Sequence, residues 1–171
     1  MEVASPSVQA ATPALFRSLM SGFPSGVAIV TAFGSDNRPW GMTCSALCSV
    51  AVEPPTLLVG MRAESPTLAA ALHTGRFSVN LLHAGAQGTA ELFASGAPDR
   101  FDLVNWTTPA DAAGSHLTDA ARSVADCRVT QNVQVGGHRM VFGEVYQICE
   151  QAVAEPPLLY GLRRFGTWPT G

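Results

Sequence analysis

The sequence contains no lysine: all ten of its cationic residues are arginines. Chemistry based on a lysine Schiff base, a P-loop lysine or a lysine general base is therefore excluded, which removes pyridoxal enzymes and Walker-type ATPases. Positive charge is also scarce, since the formal net charge is -3 and no basic stripe is present. We therefore do not expect nucleic acid as a partner.

Long apolar runs are absent as well. Although 47% of the 171 residues are hydrophobic, they occur in runs far shorter than the roughly twenty residues that span a bilayer, so no membrane association is predicted. The first fourteen residues have neither a basic start nor an apolar stretch, and predict no signal or transit peptide. We expect residues 1–12 to form a flexible arm and residues 13–171 to form a single domain.

The four cysteines show no C-x-x-C spacing and no flanking histidine pair; they are Cys44, Cys48, Cys127 and Cys149. We interpret them as reduced, buried, small hydrophobic residues of a cytoplasmic protein, with no metal bound. An alternative interpretation places Cys44 and Cys48 beside a ligand.

The common catalytic signatures are missing. No G-x-G-x-x-G follows a strand, and neither a G-x-S-x-G elbow nor an H-E-x-x-H pair occurs. Pattern alone therefore defines no active site and no metal centre.

Short apolar runs rich in Val, Ile and Phe, bounded by Gly, Pro, Asn and Asp, predict strands of an antiparallel barrel or sandwich. The predicted strands are residues 27–33, 42–50, 56–61, 77–82, 127–135 and 139–149. Helices are predicted at residues 13–20, 66–74 and 86–94, and the second is bounded by Ser65 as N-cap, Pro66 at the first position and Gly75 at the end. Residues 95–125 are predicted to form a long segment outside the barrel that contains a short helix. The sequence assigns no role to this segment.

Several sequence blocks occur in an order that is typical of one family. They are Phe23-Pro24-Ser25-Gly26-Val27, Arg38-Pro39-Trp40-Gly41-Met42-Thr43-Cys44-Ser45-Ala46, Glu53-Pro54-Pro55, Ser65-Pro66-Thr67, Gly136-Gly137-His138 and Arg164-Phe165-Gly166. From residue 16 to residue 166 the chain resembles the flavin reductase-like family, the FMN-binding split barrels. This resemblance implies a mainly β, Greek-key antiparallel split barrel with a few flanking helices.

The resemblance also implies FAD or FMN as cofactor and NADH or NADPH as hydride donor. The small residues of the second block suit a flat isoalloxazine ring that bonds main-chain N–H and C=O groups, and a helix N-terminus suits the flavin phosphate. Asn80 lies inside an apolar run, where a buried amide needs a partner. That partner is either the flavin or a neighbouring backbone group, and we predict the flavin. The cofactor-binding residues predicted in this way are Gly41, Met42, Thr43, Cys44, Ser45, Ala46, Ser49, Arg62, Ser65, Thr67, Asn80, Arg164 and Phe165.

His138 is the predicted nicotinamide contact. Members of the family carry Gly-Asp-His at this place, whereas Gly137 stands here in place of the aspartate. Without that carboxylate we expect His138 to stack on or hydrogen-bond the nicotinamide rather than to donate a proton. No catalytic acid or base is required, because the flavin itself accepts the hydride.

The expected activity is reduction of free flavin by NAD(P)H, with reduced flavin diffusing to a separate flavin-dependent monooxygenase. The resemblance also implies a homodimer whose site lies near the interface. Two alternatives stay open: a tightly bound flavin that reduces another small acceptor, and a flavin-binding module without catalytic activity.

Overall fold

The computed structural model describes residues 8–169, which are folded mainly as strands. In chain order the elements are α1 (Pro13–Ser21), β1 (Ser25–Gly26), β2 (Ala28–Phe33), β3 (Pro39–Cys44), β4 (Leu47–Val52), β5 (Pro55–Arg62), α2 (Pro66–Thr74), β6 (Arg76–Leu82), α3 (Gln87–Ser95), β7 (Ala121–Val135), β8 (His138–Glu150), β9 (Leu158–Gly161) and β10 (Arg164–Thr167). Residues 1–7, which belong to the predicted arm, lie outside the described residues. The division into an arm and one domain stays a prediction.

Seven strands form one antiparallel sheet in the order β3-β2-β6-β7-β8-β5-β4. β3 and β4 follow each other in the sequence, yet they lie at opposite edges of this sheet and do not pair with each other. The sheet curls so that its two edges approach at the β3–β4 connection. There the Cys44 thiol donates to the Gly60 carbonyl on β5 at 3.5 Å, and the Gly60 N–H donates to the Ala46 carbonyl at 2.7 Å. The result is a barrel with an open seam between β3 and β4.

The predicted strand 42–50 is therefore wrong as a single strand. Ser45 and Ala46 interrupt it, and the chain leaves one edge of the sheet there and enters the other. The other predicted strands correspond to β2, β5, β6, β7 and β8, and α2 has the predicted bounds. Gly75 ends α2 in the left-handed conformation, with φ of 68°, which glycine adopts without steric cost.

The barrel interior is filled by large apolar side chains, among them Phe77, Val59, Met61 and Val141, all of them 0% exposed. Each such burial contributes about 1.5–3 kcal/mol. Gly143 on β8 is required by this packing, since a Cβ there would lie 2.5 Å from the Phe77 ring. A second apolar cluster packs between the sheet, Phe93 of α3 and side chains of residues 96–120, among them Leu117.

Residues 96–120 contain no helix, so the short helix predicted there is wrong. The segment has no regular secondary structure, and hydrogen bonds to buried side chains of the sheet hold it in position instead. The Asn80 amide donates to the Ile29 and Ser115 carbonyls at 3.2 Å each, and the Leu117 N–H donates to Asn80 Oδ1 at 2.8 Å. Asn80 is 0% exposed, so the predicted flavin contact is corrected: its amide is already satisfied by the backbone.

Asp126 anchors the same segment from β7. Its carboxylate accepts hydrogen bonds from Ser78 Oγ at 2.5 Å and the Ala113 N–H at 2.9 Å, and His116 Nε2 lies 3.0 Å away. Burial alone would raise the pKa of Asp126, but these hydrogen bonds outweigh it and hold the pKa below its ordinary value. The charged form of Asp126 is therefore favoured in the folded protein.

This network predicts a stability that declines in acid. A carboxyl whose folded pKa is lowered stabilises fully above its unfolded pKa of about 3.9, and that contribution disappears as the pH falls through the folded value. Asp126→Asn should lower the free energy of unfolding at pH 7 by about 3 kcal/mol, because it removes the charged acceptor of the buried hydrogen bonds from Ser78 and the Ala113 N–H. Urea unfolding at pH 7 and pH 3 measures both effects.

The matched control is Asp99→Asn, which changes an exposed carboxylate. It should change the free energy of unfolding by less than about 0.5 kcal/mol. Equal losses for the two variants, or an acid dependence that is unchanged in Asp126→Asn, would contradict the role given to Asp126.

Candidate active site at the barrel seam

Two grooves meet at the β3–β4 connection. The first, here called the α2 groove, is a cavity of about 910 Å³ between β3, the start of α2 and the β7–β8 turn, with Thr43 at one end. The second, here called the α1 groove, is a cavity of about 830 Å³ that begins at Ser45 and runs under α1. Each is in the size range of small-molecule sites. Cys44, which is buried, separates them in the sequence.

The outer edge of β3 faces these grooves without a partner strand. Edge strands present a row of free N–H and C=O groups, and here that row borders a cavity rather than open solvent. Thr43 directs its hydroxyl away from it, donating to the Ala90 carbonyl of α3 at 2.5 Å. A flat ring with a polar rim can therefore bond the main chain of this edge with little obstruction from side chains.

The N-terminus of α2 opens into the α2 groove. Ser65 occupies the N-cap position, but its hydroxyl contacts Met42 Sδ at 3.2 Å and makes no capping bond to the helix. Pro66 has no N–H, and the N–H groups of Thr67 and Leu68 donate to no atom of residues 8–169. These free donors and the positive end of the helix dipole form an anion-binding position.

Arg62 and His138 form the opposite wall. They are directly opposed in the β5–β8 register, and the Ala63 N–H donates to the Gly137 carbonyl at 3.0 Å, which fixes the β7–β8 turn beside the end of β5. Both side chains are exposed and line the α2 groove. The sequence singled out these two residues separately, and the structure brings them together.

The remaining predicted residues occupy different positions. Gly41 lines the α2 groove, but a Cβ there would lie 2.7 Å from the Phe93 ring, so packing already requires glycine. Burial raises the pKa of the Cys44 thiol to about 11, despite hydrogen bonds to the carbonyls of Ala46 and Gly60 that lower it. The Cys44 side chain is thus a neutral core residue, and it offers a ligand only its backbone. The predicted burial of the cysteines is wrong for Cys48, which is exposed and lines the α1 groove.

Besides Cys44 and Asn80, three further predicted residues border neither groove in the single chain. Ser49 is exposed on β4 and pairs with Leu57. Phe165 packs edge-on against Tyr160, with ring centroids 5.1 Å apart, and Arg164 precedes it on the small sheet formed by β1, β9 and β10. In their place Tyr160, Gly161 and Arg163 line the α1 groove.

Sequence reasoning missed Trp40, Phe93 and Arg100, which line the α2 groove. Trp40 lies inside the sequence block from Arg38 to Ala46 that is typical of the family, so the sequence could have indicated it as a groove residue. Arg100 lies in the segment 95–125, to which the sequence assigned a short helix but no role, so no signal pointed to it. Across residues 8–169 no group of three His, Cys, Asp or Glu side chains is arranged to hold a metal ion.

Comparison with known proteins agrees with this architecture. A family model described as "Flavin reductase like domain" matches residues 20–169. A flavin reductase (NADPH) of Lentzea aerocolonigenes is 43% identical over 92% of this chain and 91% of that protein. A flavin reductase (NADH) of Kitasatospora aureofaciens is 39% identical over 90% of this chain and 81% of that protein.

A solved structure shares the fold as well. Component B of a nitrilotriacetate monooxygenase from Mycobacterium thermoresistibile superposes with a TM-score of 0.83 and 29% identity, covering 91% of this chain and 86% of that one. The chain therefore belongs to the flavin reductase-like family, and both the predicted family and the predicted fold class are confirmed. Within the described part of the chain, no helix is long and apolar enough to cross a membrane.

Proposed function

We propose that this protein is an NAD(P)H:flavin oxidoreductase that reduces FAD or FMN and releases the reduced flavin to a separate monooxygenase. The observation that carries the proposal is the free edge of β3 beside the free N–H groups of Thr67 and Leu68 in one groove. The predicted class of enzyme, a flavin reductase, is confirmed by the family and by its relatives.

The residues present fit a flavin in two ways. The outward-facing backbone from Gly41 to Ala46 offers donors and acceptors to the polar rim of the ring, except for the carbonyls of Gly41 and Ala46, which accept from Arg100 Nε and the Gly60 N–H. The start of α2 offers uncommitted N–H groups to the phosphate, with Arg62 on the opposite wall adding a charge-assisted contact. Ser65, relieved of capping, has a hydroxyl close to the same position.

The nicotinamide is assigned to the wall that carries His138. In the reaction NAD(P)H transfers a hydride to the oxidised flavin, which gains one further proton from water. The chain's own part is to stack the two rings at contact distance and to exclude competing groups. His138 contacts the nicotinamide and donates no proton, since Gly137 leaves it without the neighbouring carboxylate typical of the family.

We expect the reduced flavin to be released, because the seam between β3 and β4 is open. The proposed contacts are edge backbone groups and one helix end, which suits moderate affinity and exchange during turnover. A barrel of this size also leaves little room for a second centre that shields a flavin peroxide from water. We therefore assign the oxygenation to a separate protein. We also propose that this protein is cytoplasmic, because thiols remain reduced in the cytoplasm.

Turnover should depend on added flavin. With enzyme fixed, NADH or NADPH oxidation should rise and saturate as FMN or FAD is increased, and reduced flavin should pass an anaerobic ultrafiltration membrane. Full activity without added flavin, with all reduced flavin retained by the protein, would instead support the tightly bound cofactor. Binding of flavin without any nicotinamide oxidation would support the non-catalytic module.

Two variants should separate the two halves of the α2 groove. Ser65→Ala with Thr67→Ala should weaken binding of FMN and FAD more than that of riboflavin, which lacks the phosphate. His138→Ala should raise the KM for the nicotinamide while leaving flavin affinity nearly unchanged. Fluorescence titration and steady-state kinetics measure these effects. An equal loss of affinity for riboflavin would contradict the phosphate position, and an unchanged KM for the nicotinamide would contradict the role of His138.

We further propose that the protein is a homodimer that pairs through α1. None of the nine residues of α1 is buried, and its apolar side chains remain exposed, with Phe16 at 59% and Leu19 at 71%. A helix this short is marginal without packing, and an apolar stripe of this kind indicates a partner surface. Phe16 also lines the α1 groove, so a second chain seated there would help to enclose the seam.

Leu19→Glu should therefore yield a monomer in sedimentation velocity at micromolar concentration, because a charge would have to be buried in the interface. Ser18→Glu, one residue away on the same helix, is the matched control and should leave the dimer intact. A wild-type monomer, or a dimer that survives Leu19→Glu, would contradict pairing through α1.

A further inference from the structure

Arg100 is a buried cation beside the α2 groove. It is only 7% exposed, and its guanidinium lies 5.8 Å from the centroid of Phe93 and 5.9 Å from that of Phe101. Buried arginines are usually paired with a carboxylate. Within residues 8–169, however, no carboxylate oxygen lies within 4.0 Å of this guanidinium.

Main-chain carbonyls hold the guanidinium instead. Nε donates to the Gly41 carbonyl at 3.1 Å, and Nη1 donates to the carbonyls of Ala97 and Gly96 at 2.6 and 3.3 Å. Nη2 donates to no atom of the described residues and is not among their buried unsatisfied atoms. Because Arg100 lines the α2 groove, we take this free nitrogen as the group that a ligand in the groove would contact.

The electrostatics of this position favour an anion. A buried charge without a counter-ion is costly, and the carbonyl dipoles offset only part of that cost. Burial and, to a lesser extent, repulsion from Arg38 lower the pKa of Arg100 below its ordinary value. An anion bound at Nη2 would relieve both penalties and form a charge-assisted hydrogen bond.

Arg100 and the start of α2 are linked through neighbouring residues of β3. Arg100 bonds the carbonyl of Gly41, and Ser65 contacts the side chain of Met42. Consecutive Cα atoms are about 3.8 Å apart, so two anion-binding groups flank one short stretch of strand. Arg100 also borders a pocket of about 230 Å³ behind Trp40, which is too small for a dinucleotide.

We infer that Arg100 binds a phosphoryl group of a pyrophosphate-bearing dinucleotide, separately from the phosphate position at the start of α2. The inference rests on the proposed function and adds a residue and a ligand chemistry to it. The pyrophosphate belongs either to FAD or to NAD(P)H. FMN, riboflavin and nicotinamide mononucleotide lack it.

The test removes the charge and varies the phosphoryl groups of the ligand. For Arg100→Met, which keeps an unbranched apolar stem, dissociation constants are measured for FAD, FMN and riboflavin, and KM values for NADH and reduced nicotinamide mononucleotide. We expect a loss of about tenfold or more for one pyrophosphate ligand, matching a charged hydrogen bond of about 1.5–3 kcal/mol, and less than about twofold for its pyrophosphate-free counterpart. A loss confined to FAD identifies the flavin as the source, and one confined to NADH identifies the nicotinamide.

The matched control is Arg128→Met. Arg128 is exposed, stacks on Tyr146 with its guanidinium 4.3 Å from the ring centroid, and does not line the α2 groove. Its removal should change every constant by less than about twofold. If Arg100→Met does not fold, Arg100→Lys takes its place in the test. Lysine keeps the charge but not the fork geometry of the guanidinium. It should still lower the affinity for the pyrophosphate ligand, relative to its pyrophosphate-free counterpart, severalfold.

Equal losses for ligands with and without pyrophosphate would overturn the inference, because they would show that Arg100 only supports Gly41 and the groove wall. Unchanged constants would overturn it too. Either result, in a wild-type protein that reduces flavin, leaves the proposed function intact. A wild-type protein that binds and reduces no flavin would instead refute the proposed function itself.

Discussion

The architecture depends on two strand edges that do not pair. β3 and β4 are adjacent in sequence, and a tight hairpin between them would have closed the barrel completely. Instead the chain crosses at Ser45 and Ala46, and the contacts of Cys44 and Ala46 with Gly60 hold the two edges near each other without a ladder. Exposed edges are normally a liability. Here the free backbone groups line two grooves, where a planar ligand can use them.

A second constraint comes from polar groups inside the sheet. Asn80 and Asp126 are buried on adjacent strands, and satisfying them requires the backbone and side chains of residues 113–117. The same irregular segment carries Arg100 and Phe101 onto the outside of β3. The buried hydrogen bonds therefore hold the far end of the segment, while the carbonyls of Gly41, Gly96 and Ala97 hold the Arg100 guanidinium at the groove.

Much of the fold could be predicted from the sequence, because the strands are bounded by turn residues and α2 has a proline at its start and a glycine at its end. The seam could not, since residues 42–50 form one run of strand-like composition and the crossing at Ser45 depends on pairing elsewhere. Asn80 was misassigned because a polar residue in an apolar run needs a partner, and composition does not say whether that partner is a ligand or a loop. Arg100 lies where no periodicity exists, and only tertiary structure shows that its charge is unpaired.

The central claim is that the backbone at the β3–β4 seam, together with the start of α2, receives the flavin. Amide chemical shifts of the ¹⁵N-labelled protein, followed while FMN is added, test it most directly. The account predicts that the largest changes occur at residues 41–46 and at Thr67 and Leu68, whose N–H groups are free, with little change at the buried amides of Asn80 and Asp126. Changes concentrated elsewhere, with residues 41–46 unmoved at saturation, would contradict it.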